Sequence, residues 1–222
     1  MFKNLFTILR DVWRSIKKRG LKDTLLLIYF EFYFDFKYKS ETLKIIELAD
    51  LNDVKATKAY SERYQATPYY FLRKPLLKLR NEVKGSSFLD YGCGKGRALL
   101  LAAELGANEV YGVDFSEQLC KVCEDNLQRH GKTKNYFIAC GDAVEYELRD
   151  HVNFIYFCNP FNDVLLEKVL KKIRASLDKN PRKMVIVYFN PIHEKLFYGI
   201  GFQRAERITQ RNWEDHITIL RN

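Results

Sequence analysis

Three glycines, Gly92, Gly94 and Gly96, alternate in the stretch FLDYGCGKGR (88–97), directly behind Asp90 and ahead of the helix-forming run ALLLAAEL. Glycine permits positive φ and lets a ligand approach the main chain where a Cβ would otherwise stand. Such a loop binds a ligand on backbone N–H groups, with a carboxylate at its edge. A dinucleotide site uses G-x-G-x-x-G, whose third glycine allows close helix-on-strand packing around a pyrophosphate. Counting from Gly92, that third position is Arg97, and Asp90 would repel a pyrophosphate. The pair of features suits instead a ligand that carries ammonium and sulfonium charge. Further candidates stand at the ends of later apolar runs: Asp114 in VYGVDFS, Asp142 in ACGDAVEY, Asn159-Pro160-Phe161, and His193 after Asn190-Pro191. His193 is a candidate base because imidazole titrates near neutral pH, although a surface histidine fits its position as well.

These residues need a frame that brings strand ends together. From Ser86 onward, SFLDYG, EVYGVDF, YFIACGD, FIYFCNPF and KMVIVYFNP are β-rich apolar runs, and amphipathic helical runs lie among them. Ser116 and Asp163 are natural helix N-caps, and Gly106 and Gly131 suit helix C-termini. Strands buried on both faces and alternating with helices predict a doubly wound parallel α/β sheet. A short helix is expected over 193–200, followed by FQRAERI and DHITILR as a C-terminal antiparallel hairpin.

The first 60 residues read as a separate N-terminal helical extension, basic and aromatic, ahead of a domain spanning 61–222. Phe2, Leu5, Phe6, Leu9, Val12, Trp13 and Ile16 form a helical stripe that Gly20 should end, with Lys3, Arg10, Arg14 and Lys17 opposite. That pattern suits either a cover docked on the domain or a peripheral contact with an anionic membrane. In LLLIYFEFYFDFKY (25–38), Phe30, Phe32, Phe34 and Phe36 alternate as in a strand, yet Leu25, Ile28, Tyr29, Phe32 and Phe36 fit a helix, which we prefer. The stretch is short for a bilayer span, which needs about 20 residues, and Glu31 and Asp35 interrupt it.

The 222 residues allow one well-buried domain plus an appendage. The formal charge of +9 is uneven: residues 1–85 hold 18 Lys and Arg against 10 Asp and Glu, and the remainder 19 against 18. No nucleic-acid motif accompanies that basic segment. The five cysteines, an odd number placed within elements, suggest buried reduced thiols in a cytoplasmic protein. Cys120 and Cys123 form a CxxC without a second ligand pair, so no metal site is expected.

The run Asp90-Tyr-Gly92-Cys-Gly94-Lys-Gly96 resembles the first motif of the class I, seven-strand S-adenosylmethionine-dependent methyltransferases, and the later strand ends follow in register. The resemblance covers Phe88 to the C-terminus and implies a Rossmann-like, seven-stranded fold with S-adenosylmethionine as cofactor. By the same resemblance, Asp114, with Phe115 beside it, would accept hydrogen bonds from the ribose hydroxyls, and Asp142 and Ala143 would meet the adenine. Asn159, Pro160 and Phe161 resemble the (Asn/Asp/Ser)-Pro-Pro-(Tyr/Phe/Trp) loop of amino-directed members, with the second proline missing. Tyr64, Thr67 and Pro68 resemble a segment that folds over the cofactor in members acting on lysine, and Thr67 could reach the methionine carboxylate. The implied activity is methyl transfer to nitrogen in a protein lysine or small amine. The alternatives are an oxygen acceptor on a saccharide, lipid-linked or other small metabolite, and a silent S-adenosylmethionine-binding or membrane-associated scaffold.

Overall fold

Strands that are apolar along their whole length must be covered on both faces, and the chain meets this with helices on either side of one sheet. The computed structural model describes residues 2–43, 66–158, 161–209 and 216–222. Its helices are α1 (Phe2–Arg19), α2 (Leu21–Tyr38), α3 (Tyr69–Lys78), α4 (Arg80–Val83), α5 (Arg97–Glu104), α6 (Glu117–His130), α7 (Asp163–Lys179) and α8 (Lys195–Tyr198). The strands are β1 (Ser87–Tyr91), β2 (Glu109–Asp114), β3 (Tyr136–Cys140), β4 (Phe154–Cys158), β5 (Val185–Phe189), β6 (Gln203–Ile208) and β7 (Ile217–Arg221). They form a seven-stranded sheet in the order β3-β2-β1-β4-β5-β7-β6. β1 to β5 run parallel, and β7 pairs antiparallel with both β5 and β6. The doubly wound sheet and the C-terminal antiparallel hairpin are those expected from the pattern.

The period-2 alternation of each strand divides the core. Phe88, Val110, Phe154, Tyr156 and Val187 face one way, against Leu76, Leu99 and Leu127 of α3, α5 and α6. Leu89, Tyr91, Val113, Ile155, Phe157 and Ile186 face the other, against Leu166, Val169 and Ile173 of α7. The chain order reverses between β1 and β4, so the carboxyl ends of β1, β2 and β4 open on the crevice where such sheets bind ligands.

The ambiguous aromatic run is helical, and its alternation is divided between two helix faces. Phe30, Phe34 and Tyr38 follow one another at i, i+4 spacing, with ring centroids 5.8 and 5.2 Å apart, and Phe34 stacks on Tyr69 of α3 at 4.8 Å. Phe34 and Tyr38 enter the same apolar cluster as Phe88, whereas Phe32 and Phe36 stay exposed. The extension thus shares a core with the sheet.

Three local expectations need correction. Asn162, not Asp163, caps α7, its Oδ1 accepting from the Leu165 N–H at 3.0 Å, because the chain turns one residue earlier. The 193–200 segment forms only the single turn α8. Cys120 and Cys140, expected as thiols, are joined in a disulfide with Cα atoms 6.0 Å apart, since α6 begins over the end of β3. Cys93 and Cys123 are buried free thiols, and Cys158 is half-buried.

Candidate active site

The glycine loop leaves β1 and enters α5 with Gly92, Gly94 and Gly96 at φ values of 76°, 51° and 84°, a region that L side chains rarely adopt. At Gly96 space excludes a side chain as well: a Cβ there would stand 2.6 Å from the Cys123 sulfur. Gly112 in β2 is required by space alone, because a Cβ would meet Cys93, Ile138 and Leu99 within 2.9 Å. The strand pattern gave no hint that this second glycine seats the loop.

Two carboxylates stand at this loop. Asp90, flanked in the sheet by Gly112 and Tyr156, is 4% exposed, and its Oδ1 has no hydrogen-bond partner among the described residues. Burial, with the charge of Asp114, holds its carboxyl well above the usual carboxylate range. Asp114, 6% exposed at the end of β2, accepts from the Gly94 N–H at 2.8 Å and from the Ser116 N–H at 3.1 Å. Burial raises it too, although the N–H groups of Ser116, Gly94 and Phe115 act in the opposite sense. An orphaned buried oxygen beside a second acid fits a ligand that brings positive charge and hydroxyl donors.

Asp142 lies two residues past β3 and is exposed, its Oδ1 accepting from the Val144 N–H at 2.8 Å. The Gly141 N–H donates to the Asp114 carbonyl at 2.9 Å, tying the two loops together, and Ala143 packs half-buried beside them. Thr67 is buried over the end of β4. Its hydroxyl lies 2.7 Å from the Tyr156 hydroxyl and donates to the Cys158 sulfur at 2.9 Å, so Thr67 bonds protein groups that sequence did not single out. The half-buried Phe161 ring meets Tyr91 and Phe157 edge-on at 6.1 and 6.5 Å. His193 sits in the turn after β5, half-buried, with its backbone bonded to the Tyr188 phenol. The structure therefore gathers Asp90, Gly92, Gly94, Gly96, Asp114 and Thr67, sets Asp142 and Ala143 on the adjoining strand end, and leaves His193 on the far side of β4. Tyr64, Asn159 and Pro160 lie outside the described residues.

Sequence reading missed what fastens the site from above. Arg97, the first residue of α5, is buried, and its guanidinium pairs with Glu31 of α2 at 2.8 Å. It also donates to Thr42 Oγ1 at 2.9 Å, to the Thr42 carbonyl at 3.2 Å and to the Thr67 carbonyl at 3.3 Å, and covers the Tyr69 ring at 4.8 Å. Asn126 of α6, fully buried, donates to the Lys95 carbonyl at 3.0 Å and accepts from the Glu41 N–H at 2.9 Å. The signal was Glu31 itself, a charge in the most apolar stretch of the chain, which must find a partner if it faces inward.

Residues 88–180 match the family model described as a methyltransferase domain. The ribosomal protein L11 methyltransferase of Chromobacterium violaceum is 32% identical over 72 residues, which is 32% of this chain and 24% of that protein. The chain thus spans about a quarter or less of the length of such curated L11 methyltransferase relatives. Among solved structures, an S-adenosylmethionine-dependent methyltransferase from Mesorhizobium loti superposes with a TM-score of 0.54 at 15% identity, covering 68% of this chain and 98% of that one. An RNA methyltransferase from Salinibacter ruber, solved with S-adenosyl-L-homocysteine, superposes at 0.52 with 17% identity, covering 70% and 92%. At these identities the structural likeness speaks for the fold, a Rossmann-like one.

Proposed function

We propose that this chain, which carries a class I S-adenosylmethionine-dependent methyltransferase domain, transfers a methyl group to a nitrogen acceptor, a protein lysine or a small amine. The observation that carries the cofactor reading is the buried, unpartnered Asp90 Oδ1 beside a glycine loop and a second acid, Asp114. Asp114 would exchange its bond to the Gly94 N–H for the ribose hydroxyls, Asp142 and the Ala143 N–H would meet the adenine, and Asp90 would face the cationic end. S-adenosylmethionine supplies an already activated methyl group, so the chain has to align the acceptor and exclude water rather than generate a strong nucleophile.

The acceptor side would be built by Asn159, Pro160 and Phe161. The Asn159 amide oxygen would accept a hydrogen bond from the acceptor nitrogen and orient its lone pair, while Phe161, packed on Tyr91 and Phe157, would form an apolar wall. The named activity of the L11 relatives supports a protein acceptor, and Asn-Pro-Phe after β4 supports nitrogen. Labelled S-adenosylmethionine offered with peptides, small amines and saccharides tests this directly. Label in peptide or amine that disappears with Asn159→Ala, at cofactor affinity unchanged within a few fold, is the expected result. Transfer confined to a saccharide hydroxyl, or undiminished in Asn159→Ala, would overturn it.

A further inference from the structure

The N-terminal helix pair keeps an apolar face that the rest of the described fold leaves uncovered. At 100° per residue, Leu21, Leu25, Tyr29, Phe32 and Phe36 fall within an arc of about 80° on α2. All five are exposed, Phe32 by 64% and Phe36 by 88%, and the arc lies opposite the face that carries Phe34 and Tyr38 into the core. On α1, Leu9 and Trp13 are exposed as well. α1 folds back on α2 through Gly20, where the Ser15 and Thr24 hydroxyls meet at 3.0 Å. An aromatic stripe of this length on a monomer marks a contact with something else.

The charges around it select the partner. Arg14, Lys17, Lys18 and Lys22 are exposed on the same two helices, and the Lys17 ammonium stands over the Trp13 ring at 5.3 Å. The acids of these helices are engaged: Asp11 by Arg10, Asp23 by the Tyr70 hydroxyl, Glu31 by Arg97, and Asp35 by Thr42. The exposed surface thus combines large amphipathic rings and aliphatic side chains with the positive charge of Arg14, Lys17 and Lys22. No described helix is long and apolar enough to cross a membrane. A two-fold pairing of this face with a second copy would set basic helix against basic helix.

We infer that the outer face of the N-terminal helix pair docks on an anionic phospholipid surface, its rings at the headgroup level and its lysines over the phosphates. Through Glu31 and Arg97, α2 is fastened to the helix that follows the glycine loop. The inference rests on the helix faces and not on the catalytic reading, so each can fail alone.

Sedimentation of the full chain with vesicles tests it, comparing phosphatidylglycerol-phosphatidylcholine mixtures with phosphatidylcholine alone. Two variants alter exposed side chains only: Phe32→Ser with Phe36→Ser, and Lys17→Glu with Lys22→Glu. The chain is expected to sediment with the anionic vesicles, to be released by 0.5 M salt, where the screening length falls to roughly 4 Å from the ~10 Å of 0.1 M, and to lose about tenfold or more in partitioning in either variant, at unchanged thermal unfolding. No binding to phosphatidylglycerol, or equal binding by the wild type and both variants, would overturn the inference. So would a dimer in light scattering that dissolves in Phe32→Ser with Phe36→Ser, because a second copy would then be the occupant.

Discussion

The Arg97 guanidinium and the Glu31 carboxylate meet at 2.8 Å with side chains only 9% and 12% exposed, and the other Glu31 oxygen accepts from the Tyr69 N–H at 2.7 Å. One carboxylate therefore joins the helix that follows the glycine loop to the start of α3 and to α2. Removing one partner of a buried pair strands the other charge, at a cost of about 3–5 kcal/mol. Glu31→Ala should lower unfolding stability by roughly that amount, and Arg97→Ala should recover part of it when combined with Glu31→Ala. Urea unfolding of the two single variants and the double variant measures the coupling; additive losses would show that the pair does not act as a unit.

Asp90 sets a pH dependence of definite sign. Its folded carboxyl titrates above the unfolded value of 3.8, so the ligand-free protein binds the more protons over that interval and loses stability as pH rises through it. Asp90→Asn should therefore stabilise the ligand-free chain near neutral pH by about 1–3 kcal/mol, an advantage that shrinks as pH falls toward 3.8. The same variant should lose affinity for S-adenosylmethionine. Thermal unfolding at several pH values checks the first part, and a destabilised Asp90→Asn at neutral pH would contradict it.

Gly96 carries two separable demands. Gly96→Ala meets a positive-φ penalty of about 1–2 kcal/mol and a steric clash with the Cys123 sulfur. In a Cys123→Ala background the clash is relieved and only the backbone penalty should persist. Equal losses in both backgrounds, read by denaturant titration, would mean that the contact is not limiting.

Much of this was legible in the amino-acid order because parallel strands buried on both faces must be continuously apolar, and all seven strands stood out for that reason or by their turns. The positions of Asp90, Asp114 and Asp142 followed, since each stands at or just past the carboxyl end of a strand. What escaped depends on pairing across the fold. Glu31 with Arg97, Asn126 with Lys95 and Cys120 with Cys140 are joined by helix docking that no local spacing encodes. The phenylalanine alternation of α2 imitates a strand because one helix face is packed and the opposite one is equally aromatic.

The loop between Asp90 and Arg97 is expected to hold S-adenosylmethionine, with Asp114 on the ribose. Isothermal titration of the chain and of Asp114→Ala with S-adenosylmethionine, S-adenosylhomocysteine and NADH tests it most directly. Micromolar binding of the first two ligands, none of NADH, and a loss of at least about tenfold in Asp114→Ala are expected, since hydrogen bonds to a charged group are worth about 1.5–3 kcal/mol. Binding of NADH without S-adenosylmethionine, or full affinity in Asp114→Ala, would contradict it.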